Sequence, residues 1–394
     1  MTWRESVTKD EEQAVEEFRR LTIKNCTSKM LEDETLFYRF MKARDFNMKN
    51  AQEMLEKHIA WRKEFHIDTM VTDYKPPAFL LKYGTISLIG FDKEGSIVRY
   101  IDVGRTDTLG VFKSCKIVEL LKYSLWIFEK DLAELQKQSK KTEKPVNKVV
   151  YIYNFDEFSF ANATNKKGLE YLVYHSRTFQ DNYPEMVKCF AVINANSFFS
   201  MFFAVLKPWV APVVLEKIRV FGSDGYQEFL RQFIDPDVLP VFLGGNRTDP
   251  DGNPACCSFI QYGKKVPEEL YMQKNKRTLA SVHGVKTLNV SRFSKSDIRY
   301  EVDKSGSFLE WEFETKNRDI GFGLYFKESE GSKTIELIPK QRMDTDYEPE
   351  VGMYKCEKPG TYIIVFDNSY SWIHSKDIFY KVKILGPQND CDDY

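Results

Sequence analysis

The sequence predicts an α/β unit followed by an all-β unit, and three observations carry that reading. Before Pro76-Pro77 the apolar residues recur at helical spacings. From Thr85 to about Phe242, strand-like runs alternate with helix-like ones, the pattern of a mixed or parallel sheet with helices packed on it. Beyond about residue 285 the apolar period becomes two, as in an antiparallel β-sandwich.

At 394 residues the chain exceeds one ordinary core, so two or three domains are expected. The boundaries read as 1–75 for a helical segment, 76–245 for the α/β domain, 246–275 for a linker rich in glycine, asparagine, aspartate and proline, 276–385 for the sandwich and 386–394 for an acidic tail. Lysine plus arginine number 57 and aspartate plus glutamate 58, a net charge of -1, which argues against a nucleic-acid partner. Seven cysteines without a C-x-x-C spacing, behind a polar acidic N-terminus, predict reduced thiols in the cytoplasm.

The elements follow in order. Residues 10–25 form a helix with Val15, Phe18 and Leu21 on one face, and Leu36, Phe37, Phe40 and Met41 mark the next. Asn47 caps a third that carries Ala51, Met54, Leu55, Ile59 and Trp61, and Pro76-Pro77 ends the block. Thr85–Phe91 and Ile97–Val103 are strands joined by the Asp92–Gly95 turn. A helix follows over 114–138, then a basic loop to Lys148, a strand over 149–154 and a helix over 166–179. After a helix around 227–233, the Leu239-Pro240 and Gly244-Gly245 pairs close the domain. The alternating sets Ile298-Tyr300-Val302, Leu309-Trp311-Phe313, Phe322-Leu324-Phe326, Tyr362-Ile364-Phe366 and Ile378-Tyr380-Val382-Ile384 supply the sandwich strands.

The stretch Tyr183–Gly222 stands out. No residue from Cys189 to Leu206 is charged, and Phe198, Phe199, Phe202 and Phe203 sit at helical spacings. Lys207-Pro208-Trp209, a second apolar turn over 210–215 and a short strand complete it. Asn194, Asn196, Ser197 and Ser200 interrupt the run, which argues against a membrane span. So aromatic a helix needs an apolar cover: the protein's own core, a membrane or a bound lipid.

Catalytic signatures are absent. There is no G-x-S-x-G elbow, phosphate loop, H-E-x-x-H or dinucleotide fingerprint. His58 and His66 are read as surface residues rather than metal ligands, and Cys256-Cys257 as inert thiols. No cofactor or metal is expected, and no enzymatic activity.

Spaced motifs give the chain a family resemblance. Asp33–Phe65, through Leu36, Arg39-Phe40, Lys42-Ala43-Arg44, Phe46, Ala51 and Trp61-Arg62, resembles the helical segment that precedes a CRAL-TRIO lipid-binding domain. Tyr183-Pro184-Glu185, Ile193-Asn194-Ala195, Lys207-Pro208, Lys217-Ile218, Gly222, Leu239-Pro240 and Gly244-Gly245 resemble that domain's core and end. Gly360–Trp372 and Phe379–Val382 resemble a GOLD domain. The whole is similar to phosphatidylinositol-transfer-like proteins with a C-terminal GOLD domain, which include tocopherol-associated and retinal-binding members.

The resemblance implies a sheet and helices that enclose a lipid cavity gated by the apolar helix. Phe198, Phe199, Phe202, Phe203, Leu206, Trp209, Val210, Val213 and Val214 would form gate and cavity, with bends at Pro208 and Pro212. Phe202→Asp is then expected to slow transfer without unfolding. Arg44, Glu185 and Lys217 match the family's charged head-group residues; its threonine is Val214 here, and a glycine common after the third strand is Phe158. The expected partners are one phospholipid, phosphoinositide, tocopherol or retinoid such as retinal, a membrane surface touched transiently, and a protein recruited by the GOLD-like domain.

Overall fold

The computed structural model describes residue 4 and residues 7–273, 278–316, 319–345 and 349–387. From residue 388 the acidic tail lies outside the described residues, as does the expected boundary at 275/276. One compact unit runs through Tyr271 apart from Lys116–Glu119, which group with a second that starts at Met272.

Three helices open the first unit: α1 (Lys9–Thr22), α2 (Leu36–Lys42) and α3 (Met48–Glu64). Thr8 and Glu11 form a reciprocal capping box on α1, and the Asn47 side chain accepts from the Asn50 amide at 3.0 Å to start α3. Phe18, Phe40, Met41, Ala51 and Leu55 form the buried centre of this bundle. His58, expected at the surface, lies inside instead. It is 3% exposed, with Nδ1 3.0 Å from Asn182 Oδ1, so it is a core residue and not a surface one. Pro76-Pro77 does not end the helical block either, since α4 (Met70–Asp73) is followed directly by α5 (Ala78–Tyr83), with Pro77 at its N-cap.

Next come β1 (Ile86–Phe91), β2 (Ile97–Asp102), α6 (Thr108–Ser114), α7 (Ile117–Thr142), β3 (Val149–Asn154), α8 (Phe160–Ala163) and α9 (Lys166–Asn182). Then follow β4 (Val187–Ile193), α10 (Ser197–Leu206), α11 (Pro212–Leu215), β5 (Ile218–Val220) and α12 (Tyr226–Phe233). The strands form one sheet in the order β1-β2-β3-β4-β5, with β1 antiparallel and the others parallel. Much of the expected basic loop is helix, because α7 continues to Thr142.

The asparagines that interrupt the uncharged run build the β4–α10 turn. Asn194 takes a left-handed φ of 54° and donates to Asn154 Oδ1 at 2.8 Å. Asn196 caps α10 by accepting from the Phe198 and Phe199 amides.

The stretch expected as a linker packs tightly on the α/β unit. Cys256, Ile260 and Val266 are buried; Gly263 N–H donates to Asp102 Oδ2 at 2.9 Å, and the Gln261 amide to Ser87 Oγ at 2.8 Å. Glycine and proline density marks its irregular path, but Cys256 and Ile260 anchor it to the core beneath α12, and Val266 packs with Leu80, Val111 and Tyr123.

The second unit contains β6 (Lys286–Val290), β7 (Lys295–Val302), β8 (Ser307–Thr315), β9 (Asp319–Lys327), β10 (Ile335–Asp344), β11 (Glu350–Cys356), β12 (Gly360–Asp367) and β13 (Lys376–Leu385). Two four-stranded antiparallel sheets, β10-β9-β12-β7 and β11-β8-β13-β6, share one core. Sequence periodicity had not marked β6, β10 or β11. Register shifts interrupt β10, and Gly352 of β11 lies where a side chain would meet the Trp311 ring at 2.4 Å.

Candidate functional site

Strand alternation gives the first sheet two different faces. Val150, Ile152, Ala191 and Ile193 point into the packed core beneath α12. Their neighbours Tyr151, Tyr153, Phe190 and Val192 point the other way and floor a cavity of about 840 Å³. Helices α6, α7, α9 and α10 contribute its walls, through residues such as Phe112, Tyr123, Leu172 and Phe203. A second cavity of about 620 Å³ is lined by more charged residues: among them Arg62 pairs with Asp68 and Glu129, and Arg39 with Asp33. The first cavity is the larger of the two and the more apolar, and it is the candidate site.

Of the expected gate and cavity residues, Phe199, Phe202, Phe203, Leu206, Trp209, Val210, Val213 and Val214 line this cavity. Phe198 is not among its walls; it is 37% exposed, with its ring 6.1 Å from that of Phe160. Phe202 also packs edge-on against Phe158 at 5.3 Å and Phe199 against Phe155 at 4.7 Å. A charge at Phe202 therefore strikes folded core, contrary to the expectation that Phe202→Asp slows transfer without unfolding. The outward stripe of α10 is Phe198, Met201 and Val205, all exposed.

Pro208 sits inside a 3-10 turn, Lys207–Trp209, and Pro212 begins α11; the break in helix lies between them at Val210 and Ala211, whose backbones are extended. Gln180 of α9 accepts from the Ala211 amide at 2.7 Å, and the Arg177 guanidinium lies 4.7 Å from the Trp209 ring centre. The helical cover is thus tied to α9 at its bend.

Arg44, Glu185 and Lys217 all line the cavity, but only two of them meet. Lys217 Nζ lies 3.3 Å from Glu185 Oε2, whereas the Arg44 guanidinium donates to the Ala43 carbonyl at 2.9 Å. Lys42 Nζ approaches the same Glu185 oxygen at 3.9 Å, Lys148 donates to the Glu185 carbonyl, and Arg39 donates to the Pro184 carbonyl at 2.8 Å. One carboxylate thus stands among several cations. Burial, reinforced by Lys217, Arg39 and Lys42, lowers the Lys148 pKa to about 8 against the pull of Glu185. Lys148 carries no sequence signal because it follows a run of solvated lysines.

Sequence reasoning also missed the polar points inside the cavity. Tyr171 and Ser124 share a hydrogen bond at 2.9 Å. The hydroxyls of Tyr151 and Tyr153 find no hydrogen-bond partner among the described residues, and both groups are held neutral by burial. His175 stacks on Phe179 at 4.3 Å, and burial lowers its pKa to about 4, so it is uncharged at neutral pH. The available signal was the V-V-Y-I-Y-N alternation, which places both tyrosines on one face.

A mixed-sheet floor, a helical cover and a largely apolar void define an enclosing domain. Comparison with known proteins agrees: residues 81–245 match the CRAL/TRIO domain, and residues 8–57 match the CRAL/TRIO N-terminal domain. The chain thus carries a CRAL/TRIO domain preceded by its N-terminal companion. It is 25% identical to Protein ctg-1 of Caenorhabditis elegans over 350 residues, which is 88% of this chain and 90% of that protein. Protein real-time of Aedes aegypti is 26% identical over 311 residues, covering 76% of this chain but 46% of that protein. This chain therefore spans about half the length of that relative. The crystal structure of Sfh5 superposes with a TM-score of 0.50 at 16% identity over 66% of this chain and 93% of that one, a likeness of fold. CRAL/TRIO domains typically bind or transfer lipids. Among the described residues, no helix is long and apolar enough to cross a membrane, and no cluster of side chains is suited to a metal ion.

Proposed function

We propose that this protein is a non-enzymatic carrier that holds one hydrophobic molecule in the cavity and exchanges it at membrane surfaces. The observation that carries the reading is the largely apolar cavity of about 840 Å³. Water in a pocket walled mainly by apolar side chains finds few hydrogen-bond partners, so an apolar occupant is favoured over solvent there. An acyl or isoprenoid chain placed there gains roughly 0.8 kcal/mol per buried CH₂. The covering helix α10 has Phe199 and Phe202 on its inner side and Phe198, Met201 and Val205 facing out, so the same element can close the cavity and touch a bilayer.

The candidate cargoes are a phospholipid or phosphoinositide, a tocopherol, or a retinoid such as retinal. An acidic head group would lie by Lys217, Glu185 and Arg44. Lipids extracted from the purified protein and identified by mass spectrometry test the proposal. A stoichiometric lipid is expected, and repeated empty preparations that transfer nothing between vesicles would overturn it. Lys217→Ala is expected to weaken an acidic phospholipid about tenfold, the scale of one charge-assisted hydrogen bond, while it leaves a neutral isoprenoid nearly unchanged. Equal losses for both would remove the head-group role.

A second reading rests on the separate C-terminal core, which a simple carrier does not need. Here the second unit is a GOLD-like adaptor whose recruitment of a protein depends on the lipid. Deleting residues 275–394 separates the two readings, because unchanged transfer with lost partner capture favours the adaptor.

A further inference from the structure

Two loops at one end of the second unit carry its most prominent unexplained feature. The β6–β7 connection, Ser291–Ser294, presents Phe293 at 61% exposure. The β12–β13 connection, residues 368–375, presents Trp372 at 64% and Ile373 at 67%. Burial inside the protein accounts for none of the three.

Asn368 binds the two loops into one rigid tip. It is fully buried; its amide donates to the Ser294 carbonyl at 2.9 Å, and its Nδ2 reaches the carbonyls of Val290, Ser291 and His374 at 3.0–3.2 Å. Ser371 Oγ adds a bond to the His374 carbonyl at 3.0 Å. Phe293 holds a left-handed φ of 59°, a conformation that bulky residues rarely adopt, so the chain accepts strain where this ring projects.

We infer that this tip is a membrane-insertion site that places Phe293, Trp372 and Ile373 in the interfacial layer of a bilayer. A protein partner is favoured by a broad face or a groove with pockets, whereas here the apolar groups project singly from loop ends. Tryptophan is the side chain best suited to the boundary between head groups and acyl chains. The two loops contain Arg292 and His374 and no carboxylate, so no negative charge is carried by them toward phosphate head groups. Because backbone bonds already fix the loops, insertion orders little that is not ordered beforehand. The inference stands whether or not the cavity holds cargo.

Flotation of the full chain with phosphatidylcholine vesicles, with and without phosphatidylserine, tests it. The wild type is expected to float, and the combined Phe293→Ser, Trp372→Ser and Ile373→Ser variant to lose roughly tenfold or more in partitioning, given the apolar area withdrawn. Its melting temperature should match the wild type, since all three residues are over 60% exposed. A control on another exposed surface, Val351→Ser with Met353→Ser, should float normally. Brominated phosphatidylcholine gives a direct reading: it should quench wild-type fluorescence more than that of Trp372→Phe, which separates the tip from Trp209 beside the cavity. Equal flotation of the triple variant or equal quenching of wild type and Trp372→Phe would each overturn the inference.

Discussion

The two units solve the problem of an apolar interior in opposite ways. In the second, Phe313 of one sheet meets Phe322 at 5.0 Å and Phe366 at 5.1 Å on the other, so aromatic rings fill the space between the layers. In the first, the Tyr151, Tyr153 and Phe190 rings stack side by side along the sheet at 5.6–6.0 Å and leave open space above them. Aromatic content does not distinguish the units; direction does. Rings that meet across layers make a solid, and rings that line one layer make a wall.

The largest effect should come from breaking the solid interior. Phe313→Ala is expected to destabilise the second unit by about 3–5 kcal/mol, seen as an earlier denaturation midpoint. On the hollow side, Tyr153→Phe removes a hydroxyl with no protein partner and should leave stability within about 0.5 kcal/mol. Comparable losses for both would mean that the floor of the cavity is as tightly packed as the second core.

The next test lies within α10, whose two faces repeat the contrast on one helix. Phe202→Asp puts a carboxylate among Phe155, Phe158 and Phe199 and should cost about 3 kcal/mol or more. Met201→Asp, one position earlier on the outer face and 39% exposed, should change stability by less than about 1 kcal/mol yet slow vesicle-to-vesicle transfer. If Met201→Asp transfers normally, the outer stripe is not what meets the bilayer.

This helix also shows how far the sequence could be read. Periodicity located α10, its proline-marked bend and the strands on either side, because each leaves a local signature: uncharged residues, Asn at the cap, Pro at a helix start. It could not say which phenylalanines face in, since nearly every position in Ser197–Leu206 is apolar and no polar face sets the phase. A different limit applies to His58 and Arg62, which sit on a helix with a charged face: residues distant in sequence bury them, Asn182 of α9 against the histidine and Glu129 of α7 against the arginine. The 246–271 strap was misread for the converse reason. Its composition is that of a loop, and its burial comes from Cys256, Ile260 and Val266, spaced at no regular period. Lys217 and Glu185 were legible as a motif, but Lys42 and Lys148 join them only through tertiary structure.

The smallest effect per step, and the one most specific to the hollow unit, is a response to acid. Burial lowers the His175 pKa to about 4, and burial together with Arg62 lowers that of His58 to about 3. Below about pH 6.5 the unfolded chain takes up a proton at each site that the folded one refuses. Stability is therefore fully present above about pH 6.5 and falls with acid, by about 1.4 kcal/mol per pH unit for each histidine, until the folded pKa is reached. Melting temperature measured from neutral pH down to about pH 4.5 should show this decline, and His175→Gln should remove roughly half of the part the histidines contribute. A cargo that fills the cavity beside His175 keeps water from the ring and lowers its folded pKa further, so the slope is unchanged but lipid-loaded protein should go on losing stability below about pH 4, where the His175 contribution of stripped protein levels off. A slope unchanged by His175→Gln would show that the ring is reached by water, and that this side of the cavity is wet.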